Sequence, residues 1–168
     1  MILGVVMAIK ELPLSEVTLR KYEKPGRLKK RELVKKLCLS LGLLQPGDSR
    51  DVVVDILYVL LMFGDAISSE QIRELVTAYR EEHNLVLSGV AGSNIRRQLK
   101  RLRALFLVEK VKNKYRITEC QPVGDIFQKG IRQYLVNSMM DRIQEYCVKI
   151  DEEFSDNKLP ELETSKTL

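Results

Sequence analysis

The stretch SNIRRQLKRLRALFLVEKVKNKYRIT, Ser93 to Thr118, carries two patterns at once. Ile95, Leu99, Leu102 and Phe106 recur at helical spacing, which places them on one face. Around them, residues 93–116 hold nine bases (Arg96, Arg97, Lys100, Arg101, Arg103, Lys110, Lys112, Lys114 and Arg116) and one acid, Glu109. On a helical wheel, Ser93, Arg97, Lys100 and Ala104 lie opposite the apolar face, with Arg96 and Arg101 flanking them. From Leu107 the period changes. LVEKV and KYRIT are short, rich in β-formers and separated by a polar turn around Asn113, so a β-hairpin is expected.

The chain of 168 residues has a net charge of +5, and that modest figure hides a division. Residues 93–116 carry +8 and residues 20–36 carry +7, nine bases against two acids, while the rest of the chain carries −10. Charge spread evenly for solubility would not separate in this way, and two positive segments suit a polyanion partner. The second segment has two readings: a further phosphate-contacting surface or flexible arm, or a basic helix that pairs with the acids of 117–168 in a partner subunit.

Lys24-Pro25-Gly26 punctuates the chain, and RLKKRELVKKLCLSLGLL after it reads as a helix with Leu28, Leu33, Leu37 and Leu41 on one side. Pro46-Gly47 makes a turn, with Asp48 or Ser49 able to cap the next helix. That helix, VVVDILYVLLMF, is apolar nearly all round and belongs at the centre of a core; Gly64 ends it. Ser68 and Gln71 fit a capping box, Ile72, Leu75, Val76 and Tyr79 form a face, and Asn84 terminates. Ser88 and Ser93 are alternative caps for the basic helix. After Pro122 a single helix is expected from about Gly124 to Phe154. Its stripe of Phe127, Ile131, Leu135, Met139, Ile143, Tyr146, Ile150 and Phe154 could pack back on the core or pair with a second copy; a homodimer is the expectation.

Other chemistry finds little support. Cys38, Cys120 and Cys147 form no CxxC pair, and His83 is the lone histidine, so neither a zinc site nor any other cofactor is expected. Unpaired cysteines suit a reducing cytoplasm, and Cys38 and Cys147 read as small buried hydrophobes. No Gly-rich phosphate loop or nucleophile elbow occurs, so the chain reads as a non-enzyme. Asp51 and Asp55, one helical turn apart, read as dipole-complementing charge and as the polar edge of a buried helix; His83 reads as a C-terminal dipole partner. MILGVVMAI is too short for a signal peptide and its base, Lys10, follows the apolar run. It reads as an edge strand or as sequence upstream of a start at Met7. No membrane span is expected, because Val52–Phe63 is short and contains Asp55.

The order helix, helix, helix, basic helix, hairpin, long helix is specific as a set. Through Ser93–Leu102, Leu107–Val111 and Tyr115–Thr118 the chain resembles the winged helix-turn-helix family, notably small archaeal and bacterial transcription regulators. The resemblance covers about residues 50–118 and implies a mainly α (α+β) fold: a winged helix-turn-helix with a long C-terminal helix. The implied division is an N-terminal extension or arm (1–27), a DNA-binding domain (28–120), a dimerisation helix (121–155) and a flexible tail (156–168). The sequence departs from the family twice. Phe106 stands where the family has a glycine, so the left-handed cap that glycine would supply is missing, and the turn after Asn84 is longer than usual.

A helix of this kind fits the major groove of double-stranded DNA. Asn94, Arg97 and Gln98 are then assigned to base edges, and Arg96, Lys100 and Arg101 to phosphates, with Ser93 on the same outer face. Lys112, Lys114 and Arg116 of the hairpin are assigned to the flanking backbone or minor groove. The other function open to such a fold is a protein-interaction subunit of a larger transcription or replication assembly.

Overall fold

Helix α2 (Val52–Phe63) is the axis on which the other elements pack. The computed structural model describes residues 11–155. Val52, Val53, Val54, Ile56, Leu57 and Leu60 are all buried, as expected of a helix apolar nearly all round, while Met62 and Phe63 emerge at its exposed end. Helices α1 (Arg31–Ser40), α3 (Ser69–Glu82) and α4 (Gly92–Ala104) pack against α2. A three-stranded antiparallel sheet in the order β1-β3-β2 closes the body, from β1 (Ile67–Ser68), β2 (Val108–Val111) and β3 (Lys114–Ile117). The fold is therefore α+β and mainly helical. Strand β1 is two residues long, too short to leave a period in the sequence, and is held by pairing with Lys114 and Tyr115.

Local signals account for most boundaries. Ser68 Oγ accepts from the Gln71 amide and the Gln71 side chain accepts from the Ser68 amide, so the capping box forms. The hairpin turns through Lys112 and Asn113, both left-handed (φ 47° and 64°), with Val111 paired to Lys114; this is the type I′ geometry that matches strand twist.

Three helices end in the same way. In each, the amide two residues past the cap bonds a carbonyl five residues back, and the residue between is left-handed: Leu43 to Cys38 across Gly42, Leu85 to Arg80 across Asn84, and Leu107 to Leu102 across Phe106. Gly42 and Asn84 are ordinary occupants of that position; a phenylalanine is not. The left-handed cap is thus present after all, because Phe106 adopts it at φ 60°. Its ring lies against Gly130, where an added Cβ would come within 3.1 Å of the Phe106 Cβ, and its centroid is 6.2 Å from that of Tyr134. The strain of about 1–2 kcal/mol is offset by this docking.

Several expectations need correction. Helix α1 buries Val34 and Cys38, with Leu41 just beyond it; Leu33 is exposed and Leu28 and Leu37 are half-buried, so the leucine face is rotated from the one the spacing suggests. On α3 the inward face is Ile72, Val76 and Arg80, and Leu75 is exposed. Asp48 accepts from the Arg50 amide and caps no helix. Neither Ser88 nor Ser93 caps α4, which begins after an extended Ala91. Cys38 is buried, its thiol pushed up to about 12 by burial, but Cys147 is exposed.

Asp51 and Asp55 have a different use from the one expected. Both are buried, and so is Arg80 of α3. The Arg80 guanidinium donates to Asp51 (3.0 Å), to Asp55 and to the Val86 carbonyl (2.7 Å). Arg31 of α1 donates to Asp55 (2.7 Å) and Asp51 (2.9 Å), and Lys35 reaches Asp51 at 3.3 Å. Burial alone would raise the Asp51 carboxyl, yet the hydrogen bonds from Arg31 and Arg80 outweigh it and hold it below its ordinary value. Burial likewise works against the Arg31 charge, and the two carboxylates reverse that effect. The cluster ties α1, α2, α3 and the loop before α4 into one unit.

After Pro122 the chain is helical throughout: α5 (Val123–Ile126), a π-helical stretch (Phe127–Asn137) and α6 (Ser138–Phe154). At the step back to α geometry, Ser138 Oγ donates to the Tyr134 and Leu135 carbonyls. The first half packs back on the body through Ile126 and Ile131, with Phe127 and Leu135 against them. Beyond Met139 every described residue is exposed, so Ile143, Tyr146, Ile150 and Phe154 form an uncovered stripe. No helix among the described residues is long and apolar enough to cross a membrane. The expected edge strand at 1–9 and the tail 156–168 lie outside the described residues.

Candidate nucleic-acid interface

Helix α4 is fixed by its keel. Ile95, Leu99 and Leu102 are fully buried, each contributing about 1.5–3 kcal/mol, and Phe106 locks the end. With that side inward, Ser93, Arg96, Arg97, Lys100 and Arg103 are exposed. Arg96 lies 3.6 Å from Glu70, a loose pair on the surface. Arg97 donates to Asn94 Oδ1 (2.8 Å), a neutral acceptor that leaves its charge uncompensated. Lys100 and Arg103 have no ion-pair partner among the described residues. Arg103 was passed over by the sequence reading, although it stands seven residues from Arg96 and three from Lys100 on the same outward stripe.

Three assigned residues turn sideways instead. Gln98 is buried: its amide nitrogen donates to Asn94 Oδ1 (3.2 Å) and its oxygen accepts from Arg101 (2.7 Å). Asn94 donates to the Gly89 carbonyl (2.7 Å), and Arg101 to the Gly42 carbonyl (3.1 Å). Gln98 is thus a spacer in a polar ladder along the flank of α4 and presents no free edge for a base. The polar types that suit base recognition are the same ones that satisfy loop carbonyls, so residue identity alone could not separate the two uses.

In the hairpin, Lys112 and Lys114 are exposed at the tip. Arg116 is not free: its Nε donates to Glu109 across the strands (2.7 Å), at a directly paired position. Burial would raise the Glu109 carboxyl, but the Glu119 amide and Arg116 hold it below its ordinary value. Lys110 lies over the Tyr115 ring at 5.7 Å.

Beside α4, against the 43–50 loop, lies a polar cleft of about 500 Å³. Arg50, Arg97 and Arg101 reach its walls, with one carboxylate, Asp48. Among the described residues no group of three or more His, Cys, Asp or Glu side chains is placed to hold a metal ion. No family model matches the chain, and neither a curated protein nor a solved structure matches it.

Proposed function

We propose that the chain is a sequence-specific double-stranded DNA-binding protein of the winged-helix type, acting as a homodimeric transcription regulator. The observation that carries this reading is the outward stripe of α4, where Arg96, Arg97, Lys100 and Arg103 stand exposed with one loose ion pair between them. The element order supports it: α2, β1, α3, α4 and a β2–β3 hairpin match the order in which winged helices place a recognition helix and wing. In this reading α4 enters the major groove, and Arg97 with Arg96 reads guanine edges or phosphates. Lys100, Arg103, Lys112 and Lys114 meet backbone, and Gln98 braces the helix. The exposed stripe of α6 meets a second copy, and that pairing sets half-site spacing.

Duplexes selected from a random pool should bind, with affinity falling steeply as salt rises. Replacing both Arg97 and Lys100 by Ala should weaken binding by roughly 10- to 1,000-fold and flatten the salt slope by about two ion equivalents. An unchanged affinity would remove α4 from the interface.

A second reading rests on α6, whose projecting stripe (Met140, Ile143, Tyr146, Ile150, Phe154) is also what an adaptor in a larger transcription or replication assembly would present. Light scattering on the purified chain separates the two. A stable dimer that binds duplex supports the regulator; a monomer that binds none supports the adaptor.

A further inference from the structure

The cleft on the flank of α4 has a charge balance that the fold leaves uncompensated. Arg101 is half-buried there, and its guanidinium spends donors on the Gln98 oxygen and the Gly42 carbonyl, both neutral. Arg97, one turn away, spends its own on Asn94. Neither arginine pairs with a carboxylate among the described residues. Arg50 enters from the loop, and Asp48 beside it accepts from the Arg50 amide at 2.9 Å and, loosely, from its guanidinium at 3.5 Å. Three guanidinium groups against one carboxylate leave the cleft with an excess of two positive charges. An arginine has five donors in a planar fork, so Arg97 and Arg101 each keep donors free for an oxyanion. The buried ion cluster offers the contrast: there Arg31, Lys35 and Arg80 surround two carboxylates, and the charge is largely matched. Burial, with Arg97 close by, depresses Arg101 from its ordinary value, the direction expected when a cation lacks its counter-ion.

We infer that this cleft is a binding site for a small dianionic ligand of the phosphate-monoester class, held by Arg50, Arg97 and Arg101. The two charges of a monoester match the excess of two, and a volume of about 500 Å³ admits a small molecule with a substituent beyond its phosphate. The binding itself stands on the cleft alone. One consequence rests on the DNA reading: Arg97 is shared between the cleft and the outward stripe of α4, so a bound ligand draws it from the duplex and weakens DNA binding.

Calorimetric titration of the full chain with inorganic phosphate, at ionic strength matched with chloride, tests the site. Saturable binding is expected, strengthening between pH 6 and pH 8 as the dianion forms, and weakening about tenfold or more in Arg101→Gln, where a charged fork is lost. If Arg101→Gln misfolds because the Gly42 bond is lost, Arg50→Gln carries the test, since that side chain is 75% exposed and a surface pair such as its contact with Asp48 contributes little to stability. No saturable binding, or binding indifferent to both substitutions, overturns the proposal. So does a chain that ignores free phosphate while Arg50→Gln weakens duplex binding, for then the cleft serves a DNA phosphodiester. A chain that binds phosphate but no duplex leaves the proposal standing and ends the DNA reading.

Discussion

Residues 20–36 and 93–116 have nine bases each and nearly equal net charge, yet the fold engages them to different degrees. The first segment turns several of its cations inward. Arg20 donates to the Leu39 and Leu44 carbonyls and to Gln45, Arg31 and Lys35 join the Asp51–Asp55 cluster, and Lys36 pairs with Glu23 and covers the Tyr22 ring. Thr18, just before it, packs so closely on Gly42 that an added Cβ would lie 2.5 Å from its own. The arm is thereby fastened along the end of α1. The second segment is anchored by apolar groups, Ile95, Leu99, Leu102 and Phe106; Arg96, Arg97, Lys100, Arg103, Lys110, Lys112 and Lys114 are exposed, while Arg101 and Arg116 are half-buried and bonded. A high density of positive charge is therefore no measure of a binding surface. What matters is whether acids or carbonyls elsewhere in the chain have already claimed it.

The largest test of this contrast is Arg80→Met, which strips the cluster of its buried cation and leaves Asp51 and Asp55 with Arg31 and Lys35 alone. Loss of about 3–5 kcal/mol is expected in urea unfolding, with α1 detaching first by hydrogen exchange. A variant as stable as the parent would mean that the first segment does not depend on its ions. Next, Arg20→Ala and Arg103→Ala should behave as opposites. Arg20→Ala should destabilise by about 1–3 kcal/mol and leave the salt slope of the proposed duplex binding unchanged, whereas Arg103→Ala should leave stability alone and reduce that slope by about one. If Arg20→Ala lowered the slope as well, both segments would belong to one interface.

Acid provides a smaller effect. The Asp51 carboxyl sits below its ordinary value when folded, so its contribution is fully present above that ordinary value, near about pH 4, and disappears as pH falls through the lower folded one. Asp51→Asn should therefore lie below the parent in thermal stability at neutral pH, and the two melting curves should converge below about pH 4. A gap that persisted undiminished into acid would show that the loss is one of shape and not of charge. The smallest expected difference concerns the joint of the second segment. Phe106→Ala keeps the left-handed backbone strain and loses the ring on Gly130, while Phe106→Gly loses the ring but relieves the strain. The glycine variant should be the more stable by about 1 kcal/mol in chemical unfolding; equality would mean that residue 106 is not strained.

Much of this was legible from local pattern. The basic helix, the hairpin, the buried α2, the capping box and the stop at Asn84 each depend on neighbours within a few residues, and each formed where its spacing indicated. The outward placement of Arg96, Arg97 and Lys100 followed from the keel opposite them. What the pattern did not show is which of the assigned side chains the fold itself engages. Gln98 lies between Asn94 and Arg101, Arg101 also donates to the Gly42 carbonyl 59 residues away, and Arg116 pairs with Glu109 across a turn. Arg80 gave no sign, since a lone arginine on a helix face is ordinarily solvated, and its burial requires two acids 25 and 29 residues away. Phe106 was misread for a related reason: the left-handed position looks forbidden to it until Gly130 supplies the surface that holds its ring.

Charge segregation, helical phase and turn chemistry are properties of short windows, and the amino-acid order settles them because the interactions involved span one or two turns of chain. The fate of each individual cation depended on folding. An exposed arginine and a buried one have the same local sequence signature, and they differ only in whether the fold brings a carboxylate or carbonyl to within about 3 Å, where desolvation is repaid.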